Sequence, residues 1–160
     1  MHKTKNDLPK KIREGCIELL NARLADCIDL MHQGKQAHWN VKGPSFIALH
    51  KLFDEIVNAV EEYMDTIAER VVQLGGTAEG TVQVATKQTT LPMYPLKITS
   101  GVDHVEALST ALAAFGKHVR QNIEQVDKLG DKDTADIFTE VSRGIDQYLW
   151  LVEAHQQADR

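Results

Sequence analysis

Apolar residues recur at helical spacing along most of this chain, and long stretches run without a breaker. Ile12, Cys16, Leu19, Leu20, Leu24, Cys27, Ile28 and Met31 step round one face of a first helix. Its start is expected near Pro9, capped by Asn6 or Asp7. Gly34 is tolerated inside it. Val41-Lys42-Gly43-Pro44-Ser45 then makes a short turn, which sets the next helix antiparallel. That helix is expected from about Pro44 to Leu74, where Gly75-Gly76 ends it. Leu49, Phe53, Ile56, Val60, Met64, Ile67, Val71 and Leu74 form its apolar stripe, enough to cover a bundle core.

From Thr77 to Thr99 the pattern breaks, with Pro92 and Pro95 inside the segment. It exceeds the ~12–15 residues usual for a structureless loop, so it is expected to be a crossover carrying a short helix. A further helix is predicted from Val102 to Leu129, stopped by Gly130. The last runs from Lys132 to Ala154, with Ile137, Val141, Ile145, Leu149 and Val152 on one face. Two antiparallel hairpins joined by one long crossover make a ferritin-like, all-α four-helix bundle rather than an up-down-up-down one. The expected organisation is a short polar tail over residues 1–8 and a single bundle domain over 9–157.

Composition adds bounds. The chain has 160 residues, 42% hydrophobic and 26% charged, with a formal net charge of −5. No apolar run approaches the ~18 residues that span a bilayer. The polar N-terminus lacks the apolar stretch of a signal peptide, so a cytoplasmic location is expected, with no membrane partner. Cys16 and Cys27 fall in a helical pattern and read as small buried hydrophobes. The acidic balance argues against general nucleic-acid binding but leaves the locally basic end (Lys3, Lys5, Lys10, Lys11, Arg13) open.

The second helix carries a second face. With His50 as the zero of angle, Asp54 falls at ~40°, Asp65 at ~60° and Glu69 at ~100°, while the core stripe centres near about −80°. A solvated charged face is the ordinary explanation. Against it, His50–Asp54 and Asp65–Glu69 are both i, i+4 pairs, the spacing at which two side chains reach one ion. Ile47, Ala68 and Val72 share the sector, so the face is partly apolar and expected to be covered. His50 and Glu69 stand about 28 Å apart along a straight helix and cannot reach one ion in one chain. Yet the pairs 50/69 and 54/65 have the same midpoint. Two copies packed antiparallel about a two-fold axis there bring His50 to Glu69 and Asp54 to Asp65 of the partner, giving two equivalent sites. His38, at the end of the first helix, returns beside His50 across the short turn. Imidazole with several carboxylates and no thiolate suits Fe(II), Mn(II) or Zn(II).

At these residues the chain resembles the Dps family of mini-ferritins. The stretch from Lys35 through His38-Trp39-Asn40 and His50 to Asp54 is similar to one family signature, and Asp65 through Glu69-Arg70 to Gly75-Gly76 to the other. The resemblance runs from about Leu20 to Glu153. It implies that His38, His50, Asp54, Asp65 and Glu69 form an inter-subunit ferroxidase site. It also implies a hollow dodecameric cage that oxidises Fe(II), preferably with hydrogen peroxide rather than dioxygen, and stores ferric mineral, protecting against oxidative damage. The Glu-x-x-His motif of classical ferritins does not occur in the sequence. Trp39 either matches a family tryptophan near the site or packs in the core. Asp131, Asp133 and Asp136 either complement the helix dipole or, by resemblance, line a three-fold pore that admits iron. Arg70 and Asp146 are expected to pair near a subunit contact. The alternative function is a DNA-compacting cage whose metal site is secondary, and a metal-holding structural dimer without turnover is a third. The short tail on an acidic body counts against DNA.

Overall fold

The computed structural model describes residues 1–157. Among these, the chain forms five helices: α1 (Lys10–Asn40), α2 (Phe46–Gln73), α3 (Val82–Gln88), α4 (Gly101–Leu129) and α5 (Lys132–Glu153). Hairpin α1–α2 packs on hairpin α4–α5, and the crossover between them carries α3, laid against α1. This is the expected ferritin-like arrangement. No helix among the described residues is long and apolar enough to cross a membrane.

Helix ends follow local chemistry. Thr81, Ser100 and Asp131 each cap the following helix by accepting a backbone N–H. Gly130 ends α4 with φ +94°, a left-handed conformation that a side chain would strain. The start of α1 differs from expectation. Neither Asn6 nor Asp7 caps it; Pro9 holds that position, without a side-chain cap. The Asn6 side chain instead accepts from the Leu8 amide, closing a local turn before the helix begins.

The tail is held against the body. The His2 amide donates to the Gly75 carbonyl at 2.6 Å, and the Arg13 guanidinium donates to Leu74 O at 2.8 Å. Gly75, at φ +85°, leaves room for this, since a Cβ there would lie 2.8 Å from His2 O.

The core is continuous across both hairpins, with Phe53, Phe115 and Phe138 fully buried at its centre. Met64 of the expected α2 stripe is only partly buried, while Leu52 and Val57 join the interior. Helix α1 is enclosed almost all round by α2, α3 and α4, which buries every residue from Arg23 to Ile28. That places the Arg23–Asp26 ion pair (3.1 Å) in the interior. Asp26 is satisfied further by the Thr90 amide at 2.7 Å and the Thr90 hydroxyl, which ties the crossover to α1. Gly34 is more than tolerated: a Cβ there would meet Val57 Cγ2 at 2.8 Å, so its absence lets α1 and α2 approach closely. Cys16 and Cys27 are free and buried, as expected. Burial, with Asp131 alongside, pushes the Cys16 thiol up to about 12, so it is not a reactive thiolate.

Arg70 and Asp146 do not pair within the chain. Arg70 is buried and donates to Asp131 Oδ1 at 2.8 Å and to Thr134 Oγ1 at 3.0 Å. Asp146 instead pairs with Arg120 at 2.7 Å. Arg70 sits at the last turn of α2, where the start of α5 arrives, so the nearest anion is the α5 cap. Burial pushes the Asp131 carboxyl up. The hydrogen bonds from Thr134, together with the Arg70 guanidinium, outweigh that and hold it below the usual carboxylate range.

Removing one partner of a buried pair leaves the other uncompensated, so Asp131→Asn should cost ~3–5 kcal/mol at neutral pH. A carboxyl depressed in the folded state stabilises above its unfolded pKa, and loses that contribution as pH falls through the folded value. The deficit should therefore shrink on acidification below the ordinary carboxylate range. Urea denaturation at pH 7 and pH 3, at fixed protein concentration, measures both. Equal midpoints for variant and wild type at pH 7 would contradict the assignment.

Candidate metal centre

Three of the five expected ligands meet at the α1–α2 hairpin. His38, near the end of α1, and His50, in the second turn of α2, stack with ring centroids 3.7 Å apart and planes 21° apart. The close approach at Gly34, one turn before His38, and the five-residue turn make this contact. Each ring bonds the other residue's backbone: His38 Nδ1 to His50 O at 2.7 Å, and His50 Nδ1 to His38 O at 2.9 Å. A carbonyl can only accept. Each Nδ1 therefore carries the hydrogen, and each Nε2 is left as the atom for another partner. This is the second contact by which proteins fix a metal-binding imidazole.

Asp54 lies one turn beyond His50, its Oδ1 3.9 Å from His38 Nδ1. The Lys35 ammonium pairs with the same oxygen. Hydrogen bonding to Lys35, more than any other influence, holds the Asp54 carboxyl below its ordinary range. Lys35 is not a ligand type, so ligand spacing does not mark it. The signal for it was its place one turn before His38 on the same helix.

Asp65 and Glu69 are exposed, and neither makes an ion pair among the described residues. They stand three and four turns from Asp54 along a helix without internal Gly or Pro. Within the one chain, no group of three or more His, Cys, Asp or Glu among the described residues is placed to hold a metal ion. His38, His50 and Asp54 supply a partial set at one end of α2, and Asp65 and Glu69 stand at the other.

The face that carries them is apolar and uncovered by the chain's own elements. Val72 and Ile47 are each 58% exposed, and Phe46 and Trp39 lie open beside the imidazoles. Trp39, at 68% exposure, is not a core residue of this chain. Among the described residues, no element of the chain supplies the expected cover.

The three aspartates at the start of α5 separate. Asp131 is 2% exposed and fully engaged with Thr134 and Arg70, so it cannot line a pore. Asp133 and Asp136 are exposed and remain candidates. Missing from the sequence reading was the Arg70–Asp131 pair itself, which joins residues 61 apart.

A family model described as a ferritin-like domain matches residues 17–160. The DNA protection during starvation protein of Agrobacterium fabrum is 49% identical over 156 residues, spanning 98% of this chain and 96% of its own length. Among solved structures, Dps of Mycobacterium smegmatis superposes with a TM-score of 0.93 at 29% identity, over 98% of this chain and 95% of that one. Dps from Microbacterium arborescens, determined in a high iron form, gives 0.88 at 29% identity, over 97% and 99%.

If the open face of α2 is where a second copy docks, charge placed in its apolar patch should block assembly without unfolding the helix. Ile47→Glu with Val72→Glu should keep the helical circular dichroism and elute as a smaller species, measured by light scattering. An unchanged particle mass would mean that this face is solvated.

Proposed function

The chain belongs to the Dps family of ferritin-like proteins, and from that premise we propose that it is a ferroxidase that oxidises Fe(II) and stores the ferric product inside a dodecameric cage. The observation that carries this reading is the arrangement on α2. Two tautomer-locked imidazoles and a carboxylate lie at one end of an uncovered face, and two free carboxylates lie at the matching distance towards the other. An antiparallel partner about the shared midpoint would join the two sets. The site would then hold His38, His50 and Asp54 of one subunit with Asp65 and Glu69 of the other.

Each group has a definable task. The Nε2 atoms of His38 and His50 bind the substrate Fe(II). The three carboxylates favour the higher charge of Fe(III) and so make iron a better reductant at this site. Hydrogen peroxide is the proposed oxidant. One molecule accepts two electrons, one from each of two Fe(II), and with two protons leaves as two waters. Iron and peroxide are thereby removed together, which protects against hydroxyl-radical damage. The same donors suit Zn(II) or Mn(II). The reading puts the cage in the cytoplasm.

DNA compaction is the alternative. Lys3 and Lys5 are exposed, and many copies on a cage would add avidity. Against it, His2 is hydrogen-bonded to Gly75, which holds this segment on the body, and the net charge is −5.

Asp65→Asn with Glu69→Gln should abolish rapid iron oxidation while leaving assembly intact, because helix propensity hardly changes. Anaerobic Fe(II) loading followed by hydrogen peroxide, with ferric absorbance recorded, is the test. Wild-type rates in the double variant would remove these carboxylates from the site.

Asp133 and Asp136 are proposed to draw cations into a three-fold channel, where focusing can raise on-rates by roughly 10–1,000-fold and weakens with salt. Asp133→Asn with Asp136→Asn should slow uptake at low Fe(II) and low salt, yet leave oxidation at saturating Fe(II) unchanged. Unaltered uptake under the first condition would reduce them to helix-start charges.

A further inference from the structure

A third imidazole, outside the candidate centre, lies buried against the end of α1. His104, in the first turn of α4, is 1% exposed. Its Nδ1 meets the hydroxyl of Tyr94, itself buried in the crossover, at 2.6 Å. The ring also lies against the backbone carbonyls of Asn40 and Ile98. Its Nε2 is sealed from water and completes a well-aligned bond with neither. Carbonyls can only accept, so the imidazole hydrogen sits on Nε2, shared between two acceptors, and Nδ1 accepts from Tyr94. Burial holds the ring below the usual imidazole pKa and so keeps it neutral.

These contacts fall on the part of α1 that the metal centre depends on. The last carbonyls of a helix have no partner within it. In α1 the Ala37 carbonyl accepts from the Val41 amide, that of His38 accepts from His50 Nδ1, and that of Asn40 faces His104. Just beyond, the Lys42 amide donates to Thr99 O at 2.9 Å, next to Ile98. On the other arm of the hairpin, a Cβ at Gly101 would lie 2.8 Å from Leu49 Cδ1, so the start of α4 rests on the residue before His50. The first turn of α4 thus meets both arms of the α1–α2 hairpin, close to each imidazole. His38 and His50 bond each other's backbone, so fraying of α1 beyond His38 would shift both rings. We propose that His104, oriented by Tyr94, is a positioning residue that clamps the end of α1 and thereby holds His38 and His50 ready for a divalent ion. This rests on the metal centre proposed above.

The test is anaerobic titration of Co(II), a divalent probe, into the assembled protein, followed by its visible absorption, with melting recorded by calorimetry on the same samples. His104→Leu keeps much of the ring's bulk and loses both nitrogens. It should bind Co(II) about 10- to 100-fold more weakly, the loss typical of groups that orient a metal-binding side chain. Amide exchange at residues 38–42 should quicken in it. His104→Gln, whose amide can still donate to a carbonyl, should recover most of the affinity, and Tyr94→Phe should fall between. If His104 were merely structural, His104→Leu and Tyr94→Phe would melt at lower temperature yet bind Co(II) as the wild type does, and that result overturns the proposal. Should His104→Leu fail to assemble, Tyr94→Phe decides by the same criterion. The underlying centre is tested apart. If His38→Gln with His50→Gln leaves Co(II) binding unchanged, the centre itself fails. If that pair abolishes binding while the His104 and Tyr94 variants keep it, only the clamp is removed.

Discussion

Helix α2 behaves as a stiff rod. It is 28 residues long and carries no Gly or Pro, so it cannot fold back to bring its own polar residues together. Asp54, Asp65 and Glu69 are therefore held apart on one side of a rod, and like charges gain nothing by approaching each other unaided. The opposite side of the rod is spent on the core, where Leu49, Phe53, Ile56, Val60, Ile67 and Val71 are buried. Alone, such a helix cannot bring these carboxylates to one ion, and the proposed centre needs a second copy of it. The exposed Ile47 and Val72 on the same side supply an apolar reason for that meeting.

The rest of the bundle serves the α1–α2 contact. Gly34 lets the two helices close, the turn at Val41–Ser45 brings the imidazoles into register, and the stacked rings bond each other's backbone. Each Nε2 is thereby left for another partner. At the far end of α2, Arg70 locks the helix to the α5 cap through Asp131. Asp26 anchors the crossover to α1 through Thr90. Buried ion pairs of this kind add little net stability, but each fixes one end of an element relative to another.

Much of this was legible in the sequence. Gly75-Gly76, Gly130 and the prolines of the crossover bounded the helices to within a residue or two, because breakers act locally. The candidate ligands were legible because their spacing on one helix follows from its period alone. What escaped was pairing between elements. Arg70 with Asp131 and Asp26 with Thr90 join residues more than sixty apart, and nothing in either neighbourhood announces the other. Arg23 and Asp26 resemble a solvent-facing pair until α3 and α4 enclose α1 on the sides that α2 leaves open. Lys35 escaped for a different reason: a cation is not a ligand, and its contact with Asp54 crosses from α1 to α2.

Whether each centre is built from two subunits can be decided by complementation. One variant would carry His38→Gln and His50→Gln, the other Asp65→Asn and Glu69→Gln. Each alone should be inactive, since every site in it lacks one half. Mixed in equal amounts, denatured and reassembled, random pairing gives mixed dimers in which one site carries both lesions and the other neither. About a quarter of all sites, and of the wild-type iron oxidation rate, should then return. A reassembled mixture no more active than its parents, with mixed particles verified by mass, would contradict a shared centre.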